Sequence, residues 1–572
     1  MYYSLVLIVI PLLGALWLNK GTDHRQQSTV AITVSSIGLL ASICNLLLIR
    51  DGSVLTWGIG SLGIFDATLR LDPLAALFSL FCSFVWLAAG IYMHTYMQSE
   101  EKTQVFYVYY LITLAATQGI FLAGNFIVLL VFFEIMALAS GVWVTFYGTE
   151  EAKEAGSLYH NLGVAAGVAL VVAIVLLYFA GVDLRVGVAA LAPTSPLLVG
   201  LAVFCLIIGF GIKAGMFPLH IWLPKAHPVA PTPSSALLSG ILLKTGAYGL
   251  IRTGQLINWG QTGLASWGGT LLVILGIITM LVGVCLALLQ GNAKRLLAYH
   301  SVSQMGYIIL GIGAGLFLKD AGIFGVAGAV FHSLNHALFK SSLFFGVGII
   351  MLSTGESDLY KLGGLWRKFP LTAVMMFIAA LGITGTPGLN GYISKTLLHH
   401  GILDAAATGS SVMIWAERLF VLVGVGTTAS FVKLIGLTFV GKQKTEVREN
   451  AGEGGFLSLA MLMLSIVMLI IGTRPQWILS LLIGPAVQGA GMLDLGILSH
   501  VDFWEWTALR DMGVTLIAGF IFFVVGMKTH LFHLELPAWL SIEATARRVY
   551  DGAMTLVRRE TEGGGKPHHN RH

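Results

Sequence analysis

GFGIKAGMFPLHIWLP (209–224) places Gly209, Gly211 and Gly215 around Lys213 and follows them with Pro218 and Pro224, in an apolar segment beginning at 197. Proline removes a backbone donor that must then be satisfied in another way. Inside a bilayer such unwound backbone is tolerated only where it is covered by protein or lines a cavity. The stretch therefore reads as a broken transmembrane helix with a lysine just before the break, where hydration is easiest. A second segment, 370–404, repeats the pattern with Gly385, Pro387, Gly388 and Gly391, and carries Lys395 on its second limb. Interrupted helices in corresponding positions of two halves point to the ion site of a transporter.

The remainder of the chain supplies the matching frame. Of its 572 residues 56% are hydrophobic and only 11% charged, against roughly 25% charged in soluble domains. Apolar runs of ~18 or more residues recur throughout, and they are continuous, so an all-α polytopic membrane protein is predicted and a membrane β-barrel is excluded. The predicted spans are 2–18, 29–49, 71–97, 105–123, 124–147, 158–181, 197–224, 231–252, 265–290, 295–317, 321–352, 370–404, 413–440, 455–473 and 512–533, with 478–498 ambiguous and not expected to cross fully. That makes about fifteen transmembrane helices. The first run begins at residue 2 without a cleavage pattern and reads as a first transmembrane helix, not a removed leader.

Loop charges set an orientation. With the N-terminus outside, the inner loops hold Lys20, Arg25, Lys102, Lys153, Lys225, Lys294, Lys361, Arg367, Lys368, Lys442, Lys444 and Arg448, and the outer ones mainly Arg50, Arg70, Arg185, Arg252 and Lys319. The C-terminal tail, with Arg547, Arg548, Arg558 and Arg559, belongs on the cytoplasmic side, where spaced apolar residues predict an amphipathic helix on the membrane surface. The spans divide into three N-terminal helices (1–104), a first repeat (105–252), a second repeat (265–440), C-terminal helices (455–535) and an amphipathic helix with a flexible tail (536–572). Units of five helices are inverted relative to each other; no residue-level identity links the halves, so the repeat rests on topology.

Cys44, Cys82, Cys205 and Cys285 stand singly in apolar runs and read as buried structural cysteines. The chain has no CxxC pair, P-loop or GxGxxG after a strand, so no cofactor is expected in it, and neither a metal site nor a nucleic-acid partner. The terminal HHNRH lacks preorganised ligands.

The chemistry resides in charges at membrane depth. Each costs at least ~2.5–3.5 kcal/mol near the bilayer centre, so such groups mark ion paths by default. Glu134 sits in LLVFFEIMALASG (129–141) with no partner in its own segment, and a switchable ion pair with a lysine is expected; a purely structural pair is the bland reading. Lys213 suits proton relay because a buried lysine readily changes its proton affinity. Lys244 in SGILLKTGAYG has the same logic, against simple snorkelling. His332, His336 and Lys340 in FHSLNHALFK recur at i, i+4 and i+8 and share one helix face, as a hydrated proton stripe would; a zinc site there would lack Glu or Cys ligands. Lys395 ends the series. His399 and His400 read as interface markers and Lys433 as a snorkelling lysine.

FFEIMALAS (132–140), GIKAGMFPLHIWLPKAHPVAPTPSSALLSGILLKTGAYGLIR (211–252), NAKRLLAYHSVSQMGYI (292–308), FHSLNHALFKSSLFF (331–345) and GTPGLNGYISK (385–395) resemble the antiporter-like subunits shared by respiratory complex I (NADH-quinone oxidoreductase), membrane-bound hydrogenases and Mrp sodium/proton antiporters. The likeness covers about residues 65–440. It implies a 14-helix core with two inverted five-helix repeats and broken helices 7 and 12. It further implies that Glu134 pairs with Lys213, that Lys244 bridges, that His332, His336 and Lys340 relay, and that Lys395 releases protons outward. The implied function is proton translocation in a redox-driven complex of the cytoplasmic membrane, with other membrane subunits as partners and no redox group of its own. The alternative is a subunit of an Mrp-type sodium/proton antiporter without a redox partner, for which Ser234, Ser235 and Thr245 are candidate sodium ligands.

Overall fold

A computed structural model describes residues 2–534 apart from 63–64, 190–192, 258–262, 449–451 and 493–494. The amphipathic helix and tail expected at 536–572 lie outside the described residues. The chain runs through α1 (Tyr2–Leu18) and α2 (His24–Leu48) into a hairpin, β1 (Leu55–Leu62) and β2 (Phe65–Leu71), then α3 (Pro73–Tyr96), α4 (Thr103–Phe121), α5 (Phe126–Val144) and α6 (Glu150–Phe179). The first broken unit is α7 (Pro196–Ala214), a 3-10 turn and α8 (Leu223–Val229). It is followed by α9 (Thr232–Leu237), a π-helical turn (Leu238–Leu242) and α10 (Leu243–Leu256). Next come α11 (Gly263–Leu288), α12 (Ala293–Leu318), α13 (Ile323–Thr354), the second broken unit α14 (Pro370–Thr384) and α15 (Asn390–Ala407), and α16 (Ser411–Phe439). The C-terminal part holds α17 (Gly455–Thr473), the short α18 (Pro475–Ile478), α19 (Gly484–Gly489) and α20 (Gly496–Ser499), and α21 (Trp506–Lys528).

The protein is an all-α polytopic membrane protein. Among the described residues, 12 helical segments are long and apolar enough to cross a membrane, and α1 and α14 are shorter apolar helices. The region read as 478–498 is no continuous helix: from Pro475 to Gly489 it rises only about 22 Å at ~1.5 Å per residue, short of a ~30 Å hydrocarbon core.

Both expected helix breaks are present, but a glycine ends each helix ahead of the proline on which the expectation rested. Gly215 (φ 70°) ends α7 and Gly385 (φ 86°) ends α14 in the left-handed conformation that favours glycine. Close helix contact has its own sequence basis. Gly269 and Gly276 on α11 face Gly313 and Gly306 on α12, and a Cβ at Gly276 would stand 2.7 Å from Leu310 N. Small residues at such crossings let backbones approach, which is how helices associate where lipid removes the hydrophobic drive.

The hairpin was not expected. It pairs Leu55 with Leu71 through Leu62 with Phe65, bulges between Gly58 and Gly60, and joins the chain at Arg70 N–Leu122 O (2.8 Å) and Gly124 N–Thr68 O (2.8 Å). The cysteine reading needs correction: Cys82 is buried, Cys44 and Cys205 are half-buried and Cys285 is exposed, since an apolar residue on an outer helix meets lipid and not a core. Two charges assigned to loops are internal. Arg252 is fully buried against Asp72 (2.8 Å), and Lys294 is buried and donates to Ala230 O (2.7 Å).

Candidate proton-path site

Glu134 lies on α5 and faces α6, where Gly167 leaves the space its carboxylate fills; any Cβ there would collide with Oε1. That buried oxygen has no hydrogen-bond partner among the described residues. The expected Glu134–Lys213 ion pair is not closed. Helix α6 packs against both α5 and α7 and inserts Tyr159, whose hydroxyl accepts from Lys213 Nζ (2.6 Å) and contacts Ser140 Oγ (2.6 Å) on α5. Lys213 also sits over the rings of Tyr159 (4.7 Å) and Trp222 (5.9 Å), a cation–π setting that holds a buried ammonium without a carboxylate. Gly167→Val is expected to push the Glu134 side chain out of its niche. Proton transport should fall several-fold with no titratable group removed, and infrared carboxyl bands should shift; unchanged transport would mean that Glu134's position is immaterial.

Helices α7 and α10 press together at Gly246, where a Cβ would stand 2.5 Å from Phe210 O and 2.6 Å from Ala214 N. This contact brings the lysine-bearing end of α7 alongside Lys244. Lys244 is fully buried, so it does not snorkel. Its Nζ donates to Ser239 O (2.6 Å) and contacts His336 Nδ1 (2.7 Å). The accepting carbonyl belongs to the π-helical turn, a local unwinding of the kind that gathers at functional sites.

From Lys244 the polar line continues along α13. The rings of His336 and His332 are parallel, with centroids 6.3 Å apart. His332 Nε2 meets Gln304 Oε1 (3.1 Å) and Nδ1 meets Ser394 Oγ (2.9 Å). Gln304 Oε1 only accepts, so neutral His332 carries its proton on Nε2 and turns the Nδ1 lone pair toward the Ser394 hydroxyl. Ser394 precedes Lys395, whose Nζ donates to Ile383 O (2.8 Å) at the end of α14. The last helical turn before the second break thus supplies the acceptor for the lysine that follows it. Lys395 faces a cavity of about 350 Å³ bordered by Tyr307, His399, Glu417 and Asp511.

Lys340 does not stand in this line. It turns to Leu297 O, the carbonyl that also accepts from Ser301 Oγ, which contacts Ser239 Oγ (2.7 Å). Lys433, read as snorkelling, is fully buried and caps the end of α11 by donating to Leu288 O and Gln290 O (2.9 Å each). His399 is half-exposed and contacts Glu417 Oε1 (3.2 Å). Ser234, Ser235 and Thr245 each donate to a backbone carbonyl within eight residues. His300 on α12 escaped the sequence reading. It is fully buried, neither ring nitrogen has a partner among the described residues, and it packs on Phe431 (4.6 Å). Its signal was present in AYHSVSQMGY: a histidine inside a run predicted to span.

The architecture has counterparts. One chain of the Mrp complex from Dietzia sp. superposes with a TM-score of 0.76 at 24% identity, covering 87% of this chain and 99% of that one. A chain of the membrane-bound sulfane sulfur reductase, an archaeal respiratory membrane complex, gives 0.73 at 24% identity over 90% of this chain and 99% of that one. In sequence, hydrogenase-4 component B of Escherichia coli is 34% identical over 72% of this chain, and the alignment spans 63% of that relative's length. A Na(+)/H(+) antiporter subunit of Alkalihalophilus pseudofirmus is 32% identical over 79% of this chain and 90% of its own length. Residues 123–420 match the family described as NADH:quinone oxidoreductase/Mrp antiporter, TM, and with relatives above 30% identity along most of the sequence the chain belongs to that family.

Proposed function

We propose that this chain is a proton-translocating, antiporter-like subunit of a redox-driven membrane complex. The observation that carries this reading is the buried polar line Lys244–His336–His332–Ser394–Lys395, which crosses the core and ends at a cavity. Lys213, held by Tyr159 one helix contact away, is the group that loads it. Glu134 tunes Lys213 through space: an approaching carboxylate stabilises the ammonium, and its withdrawal releases a proton toward Lys244. Lys340 and its carbonyl partner form a side station that shares the charge of the stripe. Moving a proton against ~100 mV requires ~2.3 kcal/mol, supplied by electron transfer in partner subunits that shifts charge at one end of the line. This chain contributes no redox group to that process. Other membrane subunits of a respiratory or hydrogenase-type complex are its partners, in the cytoplasmic membrane, with the N-terminus outside as the loop charges favour.

A second reading has its own support, because the alignment with the Alkalihalophilus pseudofirmus antiporter protein covers 90% of that relative. In it the same line carries protons in exchange for sodium, with no electron donor. Reconstituted complex carrying Lys213→Ala is expected to lose at least roughly 10²-fold of its proton transport. Full retention would overturn the relay, while sodium-dependent proton uptake without any electron donor would select the second reading.

A further inference from the structure

A proton that reaches Lys395 is still inside the protein, because the lysine is only 3% exposed at the wall of its 350 Å³ cavity. Helix α21 forms another part of that wall. Its Met512 meets the lysine stem at the second break, where a Cβ at Gly385 would stand 3.0 Å from Lys395 Cδ and 3.3 Å from Met512 Cε. His399 also lines the cavity. It follows Lys395 at i+4 on the same face of α15, one turn or about 6 Å farther along the axis at ~1.5 Å per residue. The loop charges place that end of α15 outside. Solvent reaches this level: 28% of the His399 side chain and 25% of Glu417 are exposed.

Helix α16 holds the imidazole by two contacts. His399 Nε2 meets Glu417 Oε1 (3.2 Å), and the ring stacks on Phe420 with centroids 5.3 Å apart and planes 17° from parallel. A carboxylate oxygen only accepts, so the neutral imidazole carries its proton on Nε2 and keeps the Nδ1 lone pair to take another. The imidazolium so formed stands against a counter-charge, which favours its loading. Histidine is also the side chain that ordinarily titrates nearest neutral pH, so it can return the proton. The other ionisable groups lining the cavity are Tyr307 on α12, Tyr392 and His400 on α15, and Asp511 on α21, whose charge Arg510 offsets (2.7 Å). Asp404 and Glu505 act on His400. A mere tie between α15 and α16 needs neither a cavity nor a lysine at its inner end.

We infer, on the reading that the line carries protons, that His399 is its release group. The Lys395 ammonium gives up one N–H proton, the His399 Nδ1–H bond forms directly or through one water, and the imidazolium held by Glu417 returns one proton to the outer solvent. The neutral tautomer is thereby restored.

Proteoliposomes carrying the full complex, with pyranine reporting initial rates of proton release, test the assignment. Both compartments are made acid together, so that the pH difference stays fixed. Wild-type release is expected to fall through an acid midpoint, below which the imidazole no longer gives up its proton. His399→Gln should lower release at least roughly tenfold and remove that midpoint. Glu417→Gln keeps an acceptor oxygen for Nε2 and removes the counter-charge, so its midpoint should move about one unit toward acid. Wild-type rates in His399→Gln, a midpoint that survives in it, or an unmoved midpoint in Glu417→Gln would each overturn the assignment and leave the pair as a tie between helices. Each variant must elute monodisperse and melt as the wild type does. Lys213→Ala in the same preparations separates the two levels. If it pumps normally, the proton-path reading itself falls; if it fails while His399→Gln pumps normally, only the release group does.

Discussion

Lys244→Met is expected to lower proton translocation by roughly 10²-fold or more while the complex still assembles, because the substitution keeps side-chain length and removes the only proton carrier between α10 and His336 among the described residues. Lys244, His336 and His332 are fully buried, out of contact with bulk solvent. Methionine leaves Ser239 O and His336 Nδ1 without their donor, at a cost of about 1–3 kcal/mol for each buried group, which a bundle of this size tolerates. The decisive partner variant is Lys244→Arg. A guanidinium preserves the positive charge and the hydrogen bonds but does not release its proton in a protein. If Lys244 is only a structural cation, Lys244→Arg transports normally. If it is a relay, Lys244→Arg is as inactive as Lys244→Met. Proteoliposome acidification measured beside electron transfer separates the two, and normal pumping by either variant would remove Lys244 from the path.

Much of this site was legible because membranes make charges conspicuous. Glu134, Lys213, Lys244, His332, His336, Lys340 and Lys395 stand out in apolar runs, and breaks at Gly215–Pro218 and Gly385–Pro387 declare themselves by residue type alone. What stayed hidden depends on contacts across the fold. Tyr159 reaches Lys213 over 54 positions of sequence, and a tyrosine in a polar-edged helix gives no sign of standing between a carboxylate and a lysine. Periodicity placed Lys340 on the same stripe as His336, yet which neighbour each meets depends on α12, and there Leu297 O takes Lys340 out of line. The π-helical turn at Leu238–Leu242 was illegible for a different reason: α and π turns accept the same residues, and the packing of α9 and of the turn itself against α13 is a contact across the fold. The hairpin escaped because WGIGSL, with its glycines, carries little strand preference; its register is set by contacts with Leu122 and Gly124. Arg252 was counted as a loop charge because a basic residue near the end of a predicted span reads that way, and only the fold reveals Asp72 beside it, 180 residues earlier.

That buried pair carries the largest expected effect on stability. Asp72 caps α3 by accepting from Ala75 N (2.9 Å) and also accepts from Arg70 Nε (2.9 Å) and Arg252 Nη2 (2.8 Å). Arg252 in turn donates to Tyr248 Oη (2.7 Å) and Gln255 Oε1 (2.7 Å), and Gln255 reaches Gly489 O (2.8 Å). One ion pair therefore ties the hairpin, α3, α10 and α19 together. Asp72→Ala leaves a fully buried guanidinium without its counter-charge, at an expected cost of about 3–5 kcal/mol, and loses a helix cap worth about 1 kcal/mol more. Asp72→Asn should keep the cap and lose only the charge. The informative variant is Asp72→Asn combined with Arg252→Met. It removes both charges at once, and because desolvation of a buried pair offsets most of its attraction, the double variant is expected to melt well above Asp72→Ala. Thermal unfolding in detergent measures all three. A double variant no more stable than Asp72→Ala would mean that geometry, not an uncompensated charge, sets the loss. The outcome bears on transport too: Arg252 is eight residues, just over two turns, beyond Lys244 on α10, so loosening that end should relax the π-helical turn whose Ser239 carbonyl holds the relay lysine.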